Sequence, residues 1–203
     1  MCRLDANHFR SEDAFMQFKA ITPGVEVSGA AVLSVIEGMS RCSDLDLMES
    51  FRKMAIRMLT KHGIVEPQKD KWYLQQDWLD AFKEIAEEIG PATLKMIGEK
   101  IPDTALWPSD IDTIHDGLAS IDVAYHMNHR GGEIGHYVYS SIGKKSGKMV
   151  CNNPYPCDFD LGIIKATARL FSPKGITVVV EHDDAGPCRK KGGESCTYRI
   201  SLY

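Results

Sequence analysis

Four of the six cysteines of this chain fall in its last third, at Cys151, Cys157, Cys188 and Cys196, interleaved with Glu181, His182, Asp183 and Asp184. Thiolates, imidazoles and carboxylates are the side chains that hold divalent metals, and three thiolates with one further donor suit a closed tetrahedral Zn²⁺ site. Cys188 and Cys196 flank the segment RKKGGES, whose two glycines permit a tight reversal. Cys157 opens a predicted helix and Glu181 ends the strand that leads into the cysteine loop. The expected ligand set is therefore Cys157, Glu181, Cys188 and Cys196, with Cys151, His182, Asp183 and Asp184 as alternatives. The spacing is not a paired CxxC, so unligated thiols or a Cys188–Cys196 disulfide stay open on spacing alone. A structural zinc here would tie a helix start to a hairpin, a role worth on the order of 10 kcal/mol in small modules.

Other chemistry is sparser. Four histidines, His115, His126, His129 and His136, lie near the change of pattern; His126 and His129, one turn apart beside Arg130-Gly131-Gly132, could hold a metal as a pair but read more readily as surface or capping residues at a helix end. Phe51, Met54, Trp72, Trp78, Phe82, Trp107 and Tyr125 are candidate lining residues for an apolar pocket, the alternative being plain core packing. Arg189-Lys190-Lys191 reads as a solvated basic loop. Asn152–Pro156 reads as a stiff connection that presents Cys157. The chain has no GxSxG, HExxH, GxGxxG or phosphate-binding loop, and nothing pairs a nucleophile with a base, so no catalytic residue is assigned.

The elements that must position these groups follow from composition and periodicity. The 203 residues are 43% hydrophobic and 26% charged, with a formal net charge of −4. That is enough for a sizeable core, and a mildly acidic chain is a poor partner for nucleic acid or anionic lipid. No apolar run approaches the roughly 20 residues of a bilayer span, and the N-terminal stretch lacks the apolar centre of a signal peptide. A cytoplasmic location is expected, where cysteines are thiols or metal ligands, with Cys2 and Cys42 as isolated thiols.

Helical periodicity runs over 25–39, then from a Ser43-Asp44 cap to His62-Gly63, and again over 76–89 up to Gly90-Pro91. A short helix is expected within 13–21, another from Pro91 to about Ile101, and another from a Ser109/Asp112 capping box toward Met127. From residue 131 the pattern changes to a hairpin (133–142 and 148–152), a helix over 158–171, a strand over 176–181 buried on both faces, and a closing strand over 195–202. The expected architecture is a single α+β domain, mainly helical over 1–130 and ββαββ over 131–203.

Cys157-Asp-Phe-Asp-Leu-Gly162 in the linking helix, the strand ending in Glu181, and Cys188 … Cys196-Thr-Tyr-Arg-Ile together resemble the 4-vinyl reductase-like, or hydrocarbon-binding, domain over about residues 110–203. That family includes the aromatic-sensing part of phenol-responsive activators, where zinc is held by positions corresponding to Cys157, Glu181, Cys188 and Cys196. The segment between Glu181 and Cys188 is longer here than in those sensors, which leaves the non-cysteine ligand open. The helices-then-ββαββ layout is also similar to the haem–nitric-oxide-binding sensors. Their Tyr-x-Ser-x-Arg motif has its nearest match at Tyr139–Gly143, with Gly143 in the place of the arginine. The resemblance implies a small hydrophobic or aromatic ligand, a structural zinc, haem disfavoured, and a sensory or regulatory role read by a dimer mate, a partner protein or an output domain. Neither nucleic acid nor membrane is an expected partner. A haem-based gas sensor and a tetrapyrrole vinyl-reductase-like enzyme are the alternatives.

Overall fold

The computed structural model describes residues 17–37, 45–105 and 107–203. Cys2, Cys42, Met39 and the Ser43-Asp44 cap lie outside the described residues, and 17–21 form turns and bends, not the last part of a helix.

The first described strand, β1 (Glu26–Ser28), continues directly into helix α1 (Gly29–Glu37). Periodicity alone makes residues 25–28 helical. They are extended because Val25 and Val27 are buried and β1 is sandwiched between β2 (Trp72–Leu74) and β3 (His129–Arg130), with Val27 opposite both Tyr73 and His129. Pairing with distant segments overrides local periodicity here. Helix α2 (Leu45–Lys61) packs on α3 (Gln75–Gly98). Gly90, at φ 72° and ψ 175°, breaks the helical backbone of α3 just before Pro91, so the two expected helices lie end to end within it. A single turn, α4 (Ile101–Thr104), follows.

Helix α5 (Ile114–Met127) starts four residues later than the expected Ser109/Asp112 cap would put it. Its cap is the same motif one turn on: Thr113 Oγ1 accepts from Asp116 N–H at 3.2 Å, and Asp116 Oδ2 accepts from Thr113 N–H at 2.9 Å. Strands β4 (Tyr137–Gly143) and β5 (Ser146–Cys151) form the hairpin, and α6 (Cys157–Leu170) crosses to β6 (Val178–His182) and β7 (Cys196–Leu202). The antiparallel sheet has the order β4-β5-β7-β6. β6 is therefore an edge strand with alternating exposure, not one buried on both faces.

The architecture is α+β, helices packed on the ββαββ sheet, and one hydrophobic cluster runs from Val25 to Leu202 across both parts. α6 joins them, lying on the sheet on one side and on α3 and α5 on the other. Its approach to α3 is set by glycines. A Cβ on Gly162 would lie 2.2 Å from the Lys95 carbonyl oxygen, and one on Gly98 would lie 2.1 Å from that of Phe159. Among the described residues, no helix is long and apolar enough to cross a membrane.

Candidate functional site

The start of α6, the end of β6 and the start of β7 converge at one end of the sheet. There the Sγ of Cys157 lies 3.2 Å from that of Cys196 and 3.6 Å from that of Cys188, and Cys188 and Cys196 are 3.9 Å apart. His182 completes the group, and the four ligand atoms lie within 4.8 Å of one another. The Cys188 loop closes tightly: a Cβ on Gly193 would meet Cys188 N at 2.8 Å, and Gly192 has φ 83°. The Cys157 thiol, donating to Cys196, holds the Cys196 thiol below its usual range, with Arg189 assisting against burial, and Cys157 is pushed up in return. Gln17 Nε2 donates to Cys157 Sγ at 2.8 Å and Arg189 N–H donates to Cys196 Sγ at 3.4 Å.

The side chain that joins the three thiols is His182 and not Glu181. Val178, Val180 and His182 share one face of β6, while Val179 and Glu181 share the other, so Glu181 points to solvent, with Arg199 opposite it in the register. His182 Nδ1–H donates to Asp184 Oδ1 at 2.8 Å, which leaves Nε2 as the lone-pair nitrogen, and Nε2 is buried without a hydrogen-bond partner. Asp184 is thus a neighbour of the ligand set, Asp183 sits 3.7 Å from Arg199, and Cys151 is a core thiol paired with Cys196 across β5–β7. The rule that could have identified His182 is strand parity, but three consecutive valines before Glu181 conceal which face is covered.

Next to the thiols is a buried ionic network that the sequence did not disclose. Arg189, expected in a solvated loop, is fully buried. It pairs with Asp160 of α6, donates to the carbonyl oxygen of Asn153, and reaches Asn153 Oδ1 at 2.6 Å. Tyr137 O–H donates to the other oxygen of Asp160 at 2.6 Å. Burial pushes the Asp160 carboxyl up to about 6 in spite of these partners.

On the other side of Tyr137 lies a cavity between α1, α4, α5, α6 and the start of α3, with a void of ≈ 760 Å³ including its open mouth. The space inside it that the centre of a water-sized sphere can reach is ≈ 100 Å³. Of the candidate pocket residues, Trp78, Trp107 and Tyr125 line it. Phe51 and Phe82 are core, Phe82 stacking on Trp78 at 5.0 Å. Met54 packs against the core, and Trp72 lies under the Arg130 guanidinium at 4.4 Å. Tyr137, Tyr155 and Phe159 also line the cavity, although nothing in their local sequence marks them for it.

Among the described residues His129 is the imidazole that lines the cavity. Its Nδ1–H donates to the Tyr125 carbonyl at 2.8 Å, so Nε2 carries the lone pair, and Tyr155 O–H donates to it at 2.9 Å. Burial pulls this ring down to about 4, so it is neutral near pH 7. The fully buried amide of Gln75 lies close to the hydroxyls of Tyr125 and Tyr155. No Lys or Arg is among the described lining residues. Tyr139 and His115 bond to each other away from the cavity.

No family model matches the sequence, and no curated protein matches it. Solved structures do match the fold. An H-NOX protein from S. oneidensis in the Fe(II)NO ligation state is 16% identical, with 87% of this chain and 99% of that chain covered and a TM-score of 0.59. A point mutant of the H-NOX protein from K. algicida, in its Fe(II) unliganded form, is 15% identical over 87% and 96%, with a TM-score of 0.60. An oxygen-binding H-NOX domain related to soluble guanylate cyclases is 16% identical over 86% and 94%, with a TM-score of 0.55. At this identity the likeness is one of fold, and the fold is that of the haem–nitric-oxide-binding sensors. The expectation of zinc as the cofactor with haem disfavoured is corrected by these neighbours, which are haem-binding proteins.

Proposed function

We propose that this chain is a small-molecule-binding sensory domain whose ligand site is the cavity behind α5, and that the group it holds there is a haem serving a gas sensor. The observation that carries the reading is His129, a buried neutral imidazole with its lone pair on Nε2 at the wall of an apolar cavity. The H-NOX-like fold supports it, and a neutral imidazole nitrogen is a donor that would hold a haem iron. A bound haem would supply an iron able to take up a diatomic gas. The chain's own residues do the rest. The Tyr125 carbonyl fixes the His129 tautomer, the Tyr155 hydroxyl must leave Nε2 to free it, and Trp78, Ile121, Phe159 and Ile163 exclude water. Purified apoprotein titrated with haem is expected to give a Soret band that shifts on adding nitric oxide to the reduced form. His129→Ala is expected to lose that binding. An unchanged free-haem spectrum would overturn the reading.

A second occupant is favoured by one observation, the lack of any cation among the described lining residues to pair with carboxylate side arms. A neutral apolar or aromatic molecule needs no such partner, and its binding would raise the melting temperature of colourless protein.

The thiol–imidazole group we assign separately as a closed metal-ion site of Cys157, His182, Cys188 and Cys196. Elemental analysis of tag-free protein is expected to find one metal equivalent, retained in Glu181→Gln and lost in His182→Ala with Cys188→Ser. Retention in the double variant would remove the assignment.

A further inference from the structure

A second group of metal-binding side chains gathers on the outer face of α5, away from the thiols and the cavity. Asp122 and His126 stand one helical turn apart on α5, and the segment entering β4 brings His136 over them. Ligand atoms of the three lie within 4.8 Å of one another, and the two imidazole rings are 4.9 Å apart between centroids, tilted by 32°. His136 Nδ1 is 3.3 Å from Asp122 Oδ2, and on its other side Nε2 is 3.6 Å from Glu133 Oε1.

The side chains of His126, Asp122 and Glu133 are already oriented by the backbone, and the main chain at His136 is held as well. His126 Nδ1–H donates to the Asp122 carbonyl at 2.8 Å, leaving Nε2 as its lone-pair nitrogen. Asp122 Oδ1 accepts from Tyr137 N–H at 2.8 Å, Glu133 Oε1 accepts from Gly135 N–H at 2.7 Å, and His136 N–H donates to Asn152 Oδ1 at 2.7 Å. Held ligands of this kind are what a metal site needs from its surroundings. Simple surface ion pairing would account for one histidine on one carboxylate, at little gain in stability. It does not call for two imidazole rings gathered 4.9 Å apart beside one carboxylate, which one shared dication would satisfy together.

We propose that Asp122, His126 and His136, with Glu133 in reach, form a second and exchangeable site for a borderline divalent transition metal of the class that imidazole and carboxylate select, such as Ni²⁺, Co²⁺ or Cu²⁺. The side chains of His126, His136 and Asp122 are 41%, 43% and 30% exposed, so water completes the coordination and the ion can leave. The site joins α5 to the start of β4. It depends on neither the haem reading nor the thiol site.

The test uses the full, tag-free chain stripped with chelator, titrated with Ni²⁺ calorimetrically and loaded with Cu²⁺ for electron paramagnetic resonance. Wild type is expected to bind Ni²⁺, with affinity falling at least about tenfold in His126→Ala and in His136→Gln. Both residues are half-exposed, and circular dichroism confirms that each variant is folded. The Cu²⁺ spectrum is expected to show nitrogen coupling that diminishes in either variant. No Ni²⁺ binding by wild type, affinity unchanged in both variants, or nitrogen coupling unaffected in both would each overturn the proposal.

Discussion

His129 shows how one side chain ties the cavity to the stability of the fold. Its ring is neutral in the native state, with burial holding it at about 4, the charge of His126 adding to that and the Tyr125 carbonyl opposing it. In the unfolded chain an imidazole takes up a proton below about 6.5. A depressed histidine therefore contributes stability that is complete above pH 6.5 and is lost as pH falls from 6.5 toward 4. The window corresponds to about 3 kcal/mol. Denaturation of the apoprotein between pH 7 and pH 4 is expected to show wild type losing that much relative to His129→Gln, whose own pH dependence lacks this limb. Parallel curves for the two proteins would show that burial does not depress the His129 ring.

Among the elements, α6 sets the geometry, because three separate features meet on it. Cys157 at its start joins the thiols, Asp160 one turn on holds Arg189, and Gly162 permits the approach of α3. Gly162→Ala must drive a methyl into the Lys95 carbonyl, so the two helices separate and the cavity wall at Phe159 and Ile163 shifts with them. A loss of about 1–3 kcal/mol is expected in urea denaturation; a stabilised variant would mean that α3 and α6 pack more loosely than the glycines indicate.

The elements were also where the sequence was most readable. Long amphipathic helices such as α2 and α6, and the β4–β5 hairpin, follow from periodicity, because one covered face imposes a repeat on the residues. β1 and the late start of α5 did not follow. The first depends on partners dozens of residues away, and the second is one of two equivalent capping patterns four residues apart. At the sites, Cys157, Cys188 and Cys196 could be read because cysteines clustered among acids already narrow the chemistry. The convergence of His182, Arg189 and Asp160 could not, since β6 parity and the burial of a basic loop are decided by tertiary packing.

Across the whole molecule, the Arg189–Asp160 pair links the sheet end to the helical part. Arg189 belongs to the loop that holds Cys188, Asp160 belongs to α6, and Tyr137, bonded to Asp160, is both the first residue of β4 and part of the cavity wall. Removing one member leaves a buried charge without its partner. Arg189→Met is expected to cost about 3–5 kcal/mol, with part of that recovered when Asp160→Asn is added, because the double variant buries no charge. Equal stability of the single and double variants would show that the two side chains act independently.

The strand order β4-β5-β7-β6 also has a bearing on how the protein is made. β7 lies between β5 and β6, so on a ribosome the edge strand β6 emerges before its neighbour β7 and stays unpaired until residues 196–202 follow it. The same strand carries Cys196 and Tyr198, whose hydroxyl bonds to the Cys157 carbonyl at 2.8 Å. A nascent chain halted at residue 195 would thus hold a hairpin, an exposed valine-rich edge and an open thiol loop at once, a state suited to aggregation or to capture by a chaperone.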